Sequence, residues 1–252
     1  MTTNGAVTIT RPVVDAPFSL SAARESFQQA APYRHLVIDG FLDARLALQV
    51  AREFPAIDDP RWTRRTHYHS KKLTLASLPE TAQLVVDHLH GPETLGWLES
   101  LTGVRDLTGD DDLFGGGLHC SPRGGFLDVH TDFTRHPVTG HRRALNLLIY
   151  LSEDWDPEWG GWLELWDAPV RECVRAIAPT FNRAVLFETH DRSFHGHPDP
   201  LRCPPGASRN SLALYYYVPW RAGDVHVPTT DYRPRPHEYG KRLRKWLGRL
   251  VR

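Results

Sequence analysis

A surplus of charge of either sign is missing from this 252-residue chain, in which 30 Lys and Arg balance 30 Asp and Glu. A chain-wide electrostatic grip on nucleic acid is therefore not expected. No apolar run approaches the ~18–20 residues that a membrane span needs, so no membrane partner is expected either. The opening stretch MTTNGAVTITRPVVDAPF lacks the basic start and apolar core of a secretory signal. Cysteine is scarce. Cys120, Cys173 and Cys203 are an odd set without metal-like spacing, which argues against a disulfide scaffold and suits a reducing cytoplasm. Lysine is nearly absent from the basic set, with only Lys71, Lys72, Lys241 and Lys245. That arginine bias reads as genome composition rather than mechanism. Internal repeats and low-complexity tracts are missing too.

What is present suffices for a core. Apolar residues make up 40% of the chain; counting Gly and omitting Tyr gives about 44%, near the globular norm of about 45–50%. Disorder over the whole length and collagen-like classes are excluded. A chain this long can bury about 70–75% of its unfolded surface, so it needs no disulfide or metal to fold. One large domain is a natural expectation.

Residues 1–17 have no sustained period and read as a loose arm. HLVIDGFL (35–42) reads as a strand running into a turn. Asp43 is placed to cap a helix with Leu46, Ala47, Val50 and Phe54 on one face. Residues 58–74 are polar and aromatic, with no assignable period. Pro79 opens a helix through His90 with Leu84, Val85 and Leu89 inward, and a short helix over 92–101 stops at Gly103. After Gly109 the texture changes to short apolar runs between Gly-, Pro- and Asp-rich turns: FLDVHTD (126–132), ALNLLIYL (144–151), GWLELWD (161–167), RAVLFET (183–189) and SLALYYYV (211–218). Such spacing predicts a β-sandwich or jelly roll. Helices first and strands after give an α+β chain. The last twenty residues, 233–252, hold eight Lys or Arg and one Glu. There Leu243, Trp246, Leu247, Leu250 and Val251 fall on one helical face, predicting a docked amphipathic helix with a solvated basic side.

The sharpest chemical signal is His130-Thr131-Asp132. On a strand, residues i and i+2 point to the same face. One imidazole and one carboxylate thus reach one point, and a further His completes the facial triad of non-haem Fe(II) oxygenases with three positions left open. With 14 His in the chain, an H-x-D tripeptide is expected about once by chance, so the motif alone is weak. The second instance, His197-Pro198-Asp199, lies between Gly196 and Pro200 in a turn-rich stretch where the side chains are not expected to align. The first has a good distal partner in His195, and Arg209 follows at the head of a strand.

Residues 115–220 resemble the prolyl-4-hydroxylase-like branch of the iron(II)/2-oxoglutarate-dependent dioxygenases. The matching pieces are GGFLDVHTDF, RRALNLLIYLSEDWDPEWGGWLEL, IAPTFNRAVLFETHDRSFHG and SRNSLALYYY. The resemblance implies a double-stranded β-helix (jelly roll) with N-terminal supporting helices. It implies one domain over 18–232, with helical support at 33–114 and the jelly-roll core at 115–220. It implies His130, Asp132 and His195 as iron ligands; only His195 occupies the S-x-H-G position. Arg209 matches the residue holding the far carboxylate of 2-oxoglutarate, where a planar, always-charged fork suits a carboxylate. Tyr150 matches a cosubstrate-contacting tyrosine, and Leu163 an apolar wall. Where relatives often carry another tyrosine facing the cosubstrate, this chain reads Gly117-Leu118-His119-Cys120, and His119 is the replacement candidate. The implied reaction consumes 2-oxoglutarate and O2, releases succinate and CO2, and hydroxylates an unactivated C–H bond, with ascorbate as accessory reductant. Asp132 argues against halogenation, because halogenating relatives have a small residue there. Desaturation, ring closure and epoxidation stay open.

The expected substrate is a small molecule such as an amino acid, sugar or natural-product intermediate. The alternative is a prolyl side chain in a protein or peptide. Phe133, Arg143 and Trp155 are the substrate-side candidates. Trp159, Trp162 and Trp166 read as core or sandwich edge. Arg64, Arg65, His67 and His69 read as a solvated loop rather than a lid, Asp110–Asp112 as a solvated acidic turn, and Cys120 as a thiol near the iron. A homodimer is left open. Rival readings are a non-catalytic jelly-roll binding module and a zinc hydrolase using the same ligands.

Overall fold

The apolar runs of the second half fold as strands, and the two faces of each strand do different work. The computed structural model describes residues 19–241. The loose arm read over 1–17 lies outside the described residues, as does most of the basic helix read over 233–252.

Four helices come early. α1 (Leu20–Gln29) starts at Ser19, whose hydroxyl accepts from the Ala22 amide, and buries Ala23 and Phe27; the sequence reading has no helix there. α2 (Ala44–Arg52) is capped by Asp43, which accepts from the Arg45 and Leu46 amides at 3.0 and 3.2 Å. α3 (Glu80–Leu89) buries Ala82, Val85, Val86 and Leu89. Leu84 is only half-buried, because Val86 takes the inward place expected for it. α4 (Pro92–Thr102) ends at Gly103 with φ +79°, a left-handed conformation that costs glycine little.

Twelve strands are described: β1 (His35–Ile38), β2 (Thr63–His67), β3 (Ser70–Leu75), β4 (Gly117–Pro122), β5 (Phe126–Thr131), β6 (Arg142–Tyr150), β7 (Leu163–Trp166), β8 (Cys173–Ile177), β9 (Ala184–Glu188), β10 (Phe194–His197), β11 (Ser208–Val218) and β12 (Asp231–Tyr232). They pair antiparallel along the path β1-β9-β6-β11-β4-β3-β5-β10-β7-β8, with β2 on β3 and β12 on β5. The path curls on itself. Tyr150, Val185 and Phe187 of β6 and β9 pack against Leu163, Leu165 and Ile177 of β7 and β8. This is the expected jelly roll.

Strand β11 shows the division of labour. Leu212, Leu214 and Tyr216 enter a core shared with Phe27, Val50, Val85 and Leu98 of the helices. Arg209, Ser211, Ala213 and Tyr215 alternate to the other face, inside the roll. Burial on both faces accounts for the nearly unbroken apolar runs, and each such leucine contributes about 1.5–3 kcal/mol.

Several expectations change. Residues 63–75 form the β2–β3 hairpin. β2 is exposed throughout and so has no apolar alternation to read, while β3 sends Leu73 and Leu75 into the helix-side core. β3 carries β2 on one edge and pairs with β4 and then β5 along the other, so the region read as helical support lends the roll a strand. Cys120 sits in the helix-side core, on the face of β4 opposite the iron candidates, and burial pushes its thiol up to about 11. Asp110 is buried, 3.3 Å from His136 Nε2, and accepts from the Phe114 amide; it is no solvated turn. His197 closes β10 and is buried, whereas Asp199 accepts from Arg235 at 2.6 Å. Among the described residues no helix is long and apolar enough to cross a membrane.

Candidate metal centre and cosubstrate pocket

Strand alternation sets His130 and Asp132 on one face at the end of β5, and antiparallel pairing sets His195 of β10 directly opposite His130. One ligand atom from each of the three lies within 4.8 Å of the others, and all three residues are buried. Asp132 Oδ1 is 3.6 Å from His130 Nε2, and Oδ2 is 3.6 Å from His195 Nε2. Each imidazole is fixed through its other nitrogen: His130 Nδ1 donates to Asp128 O at 2.8 Å and His195 Nδ1 to Ser193 O at 2.9 Å. A carbonyl can only accept, so Nδ1 holds the proton and both Nε2 lone pairs face the carboxylate. Two imidazole lone pairs and an anion aimed at one point fit a divalent cation, and this donor set fits iron(II).

A second layer holds Asp132. Its Oδ2 accepts from Asn146 Nδ2 at 2.9 Å and lies 3.1 Å from Arg143 Nη2. That guanidinium nitrogen has no hydrogen-bond acceptor, so the contact is an ion pair off the bonding direction. Asn146 Oδ1 in turn accepts from Arg143 Nε and Thr189 Oγ1. Burial alone would raise the Asp132 carboxyl; Arg143 and the two imidazoles outweigh it and hold it well below the usual carboxylate range. Burial, then the neighbouring His130, pushes His195 down to about 4. A buried anion at Asp132 and a neutral imidazole at His195 are protonation states that metal binding requires.

Deeper inside, Arg209 Nε donates to Gly161 O at 2.7 Å and Nη2 donates to Tyr150 Oη at 3.2 Å. Arg209 is buried, and among the described residues no carboxylate pairs with it. Burial lowers its pKa and raises that of Tyr150, although Arg209 opposes the tyrosine's shift. A buried guanidinium without an anion is costly unless an anionic ligand arrives. Leu163 packs with Tyr150 in one apolar cluster. His119 faces the same interior and donates from Nε2 to Gly115 O at 3.0 Å.

Residues 116–217 match the family model described as 2OG-Fe(II) oxygenase superfamily. The matched segment holds His130, Asp132, Tyr150, His195 and Arg209. Iron(II), 2-oxoglutarate and O2 are the cofactor set of 2OG-Fe(II) oxygenases, and the donor set above fits it. The chain is 27% identical over 226 residues to mouse (Mus musculus) prolyl 3-hydroxylase OGFOD1, an alignment covering 86% of this chain and 39% of that protein. It therefore spans about two fifths of this curated relative. A Pseudomonas putida prolyl-4-hydroxylase structure shares the fold at TM-score 0.53 and 18% identity, over 78% of this chain and 98% of that one. A Trichoplax adhaerens prolyl hydroxylase, solved with a peptide fragment of the hypoxia inducible factor oxygen degradation domain, aligns at TM-score 0.54 and 18% identity, over 79% of this chain and 90% of that one.

Around this candidate metal centre the structure sorts the remaining candidates. Arg143, one of the largest fully buried side chains, stacks on the Tyr215 ring at 3.3 Å and over Phe133 at 5.1 Å. It and Phe133 thus flank Asp132, whereas the neighbouring Arg142 turns to Asp224 at 3.3 Å. Trp155 is not brought to the triad by any of its contacts: its Nε1 donates to Gly160 O and its ring meets Trp159 edge-on. The β2–β3 tip is no solvated loop. His69 stacks on Tyr232 at 4.3 Å and its Nδ1 lies 3.0 Å from Asp128 Oδ2. Tyr232 pairs with His130 across β12 and β5, with the rings 5.5 Å apart. Beside them opens a cavity of about 470 Å³ lined by Tyr68, His69, Asp128, Tyr232 and Lys241. Sequence reasoning missed Asn146, Tyr232 and Lys72. A lone amide inside RRALNLLIY was a usable signal, because a buried Asn demands partners.

Proposed function

We propose that this chain is an iron(II)- and 2-oxoglutarate-dependent hydroxylase. In this reading His130, Asp132 and His195 are the iron ligands, and Arg209 with Tyr150 grips the far carboxylate of 2-oxoglutarate. One observation carries it: two imidazole lone pairs and a carboxylate aim at one buried point, inside the same roll as a buried guanidinium that among the described residues has no anion of its own. Iron(II) with 2-oxoglutarate supplies the O2 chemistry when bound, with ascorbate as an accessory reductant. The chain's residues do the positioning. Asp128 O and Ser193 O orient the two imidazoles, Arg143 and Asn146 keep Asp132 anionic and aimed, and the wall of Leu163, Leu165, Val185 and Phe187 keeps the interior dry. A cytoplasmic setting goes with the three free thiols.

Two substrate classes fit this chemistry. A free small molecule suits the modest cavity at Tyr232. A prolyl side chain in a peptide is supported by the likeness to a prolyl 3-hydroxylase along most of this chain. Succinate release with Fe(II), ascorbate and 2-oxoglutarate, compared between proline-containing peptides and panels of free amino acids and sugars, separates them. Arg209→Ala should raise the 2-oxoglutarate requirement about ten- to hundredfold, the loss of one charge-assisted contact, and leave Mn(II) binding unchanged. If Mn(II)-loaded protein shows no thermal shift with 2-oxoglutarate, the oxygenase reading falls and a jelly-roll binding module takes its place.

A further inference from the structure

The interior of the roll holds an imidazole that the fold leaves without a partner. His197 is 5% exposed, and its Nδ1 is sealed from solvent with no hydrogen bond. A buried polar atom left unpaired is costly, so its partner is to be sought outside the fold. Strand register gives the direction of the ring. β5 spends three residues, His130 to Leu127, where β10 spends two, His195 to His197. Against β7 the pairing of β10 is unbroken: Phe194 with Trp166, His195 with Leu165, Gly196 with Glu164. The bulge therefore belongs to β5, and β10 alternates regularly. Phe194 packs with Val129 and Trp166 on the side of the sheet away from the triad, so His195 and His197 both face inward.

The same register gives its level in the roll. Leu165 is level with His195, and the next inward residue of β7, Leu163, is level with His197. Two residues further back is Gly161, whose carbonyl accepts from Arg209 Nε at 2.7 Å. Leu163 also shares a cluster with Tyr150, the phenol that accepts from Arg209 Nη2. His197 thus stands one inward step, about 7 Å, from the ligand His195, on the side of Arg209. On β3, Leu73 and Leu75 enter the helix-side core, so Lys72 alternates inward. Arg209 is paired with Ser121, and Leu73 with Cys120, so Lys72 continues the Arg209 row. Among the described residues no carboxylate pairs with either cation. This end of the interior is built to receive an anion. We infer that His197 donates from Nδ1 to the far carboxylate of 2-oxoglutarate, beside Arg209. This inference rests on the oxygenase reading. It makes the histidine of the second H-x-D tripeptide a cosubstrate-binding residue.

The test uses Mn(II)-loaded protein and two keto acids, 2-oxoglutarate and 2-oxopentanoate, which lacks the far carboxylate. Dissociation constants come from calorimetry, with circular dichroism to confirm the fold. His197→Leu should weaken 2-oxoglutarate about ten- to hundredfold and leave 2-oxopentanoate binding as in the parent. His197→Asn, whose amide nitrogen takes the place of Nδ1, should recover part of the loss. Without keto acid, the Mn(II)-loaded His197→Leu protein should denature in urea no earlier than the parent, because the substitution removes an atom that the fold leaves unpaired. If His197→Leu and His197→Phe both bind 2-oxoglutarate as the parent does, the inference is overturned. An equal loss for the two keto acids would make His197 a prop for the metal end and overturn it too. Early unfolding of His197→Leu would show a partner within the fold, with the same result. Failure of the parent protein to bind 2-oxoglutarate at all would instead remove the oxygenase reading on which the inference stands.

Discussion

At the scale of single residues, Asp132 and His130 differ in what their loss leaves behind. Among the described residues Asp132 is the one carboxylate paired with Arg143, a guanidinium that is 1% exposed. Asp132→Ala strands that charge, so the metal-free protein should lose about 3–5 kcal/mol. His130→Ala leaves only the Asp128 carbonyl short of a donor, a cost of about 1–3 kcal/mol. Both should abolish Mn(II) binding and succinate release. Urea denaturation of the two variants checks the contrast; equal stability would mean that Arg143 finds another partner. The triad residues are readable in the sequence because period-two alternation and the S-x-H-G position each fix a side chain's direction locally. Lys72 is not, since its direction follows only once β3 pairs with β4 and β5, across some fifty residues of chain.

At the scale of elements, the turn between β6 and β7 sets the guanidinium. Gly161 has φ +76°, and a Cβ there would lie 2.8 Å from both Arg209 Cδ and Leu201 Cδ2. Gly161→Ala should therefore cost about 1–2 kcal/mol through its left-handed backbone alone and weaken 2-oxoglutarate binding by pushing Arg209 aside. Denaturation midpoints and ligand titration of the same variant measure both; unchanged affinity would show that Arg209 is not held from this turn. Elements with an apolar stripe and a cap were legible, such as α2 with Asp43 and β6 with its unbroken run. Strand β2 was not, because all five of its residues are exposed and only its bonds to β3 make it a strand. Helix α1 was also hidden: two buried positions, Ala23 and Phe27, are too few to declare a period.

At the scale of the whole molecule, helices before short strands spaced between Gly-, Pro- and Asp-rich turns were enough to predict a β-sandwich or jelly roll, because layer architecture follows from which faces must be covered. The interior also predicts a pH response. His119 is pushed well below the usual histidine range, by burial first and then by Lys72 and Arg209; His35 and His90 are lowered by burial as well. Below about pH 6.5 the unfolded chain takes up protons that these folded imidazoles refuse, so the stability of the metal-free protein should fall as pH drops through that value. His119→Gln, which keeps a donor toward Gly115 O, should make the decline shallower in denaturation series between pH 7 and 5. An identical slope would remove His119 from the response. One last feature concerns the strand that carries the ligands. The His130 end of β5 is flanked by β10 on one side and by β12 on the other, and Arg233 N closes onto Val129 O at 2.8 Å. A chain shortened after Thr230 would bare that flank, and deuterium should then enter the amides around His130 far sooner than those of β6, leaving the ligand strand to breathe while the sheet behind it stays shut.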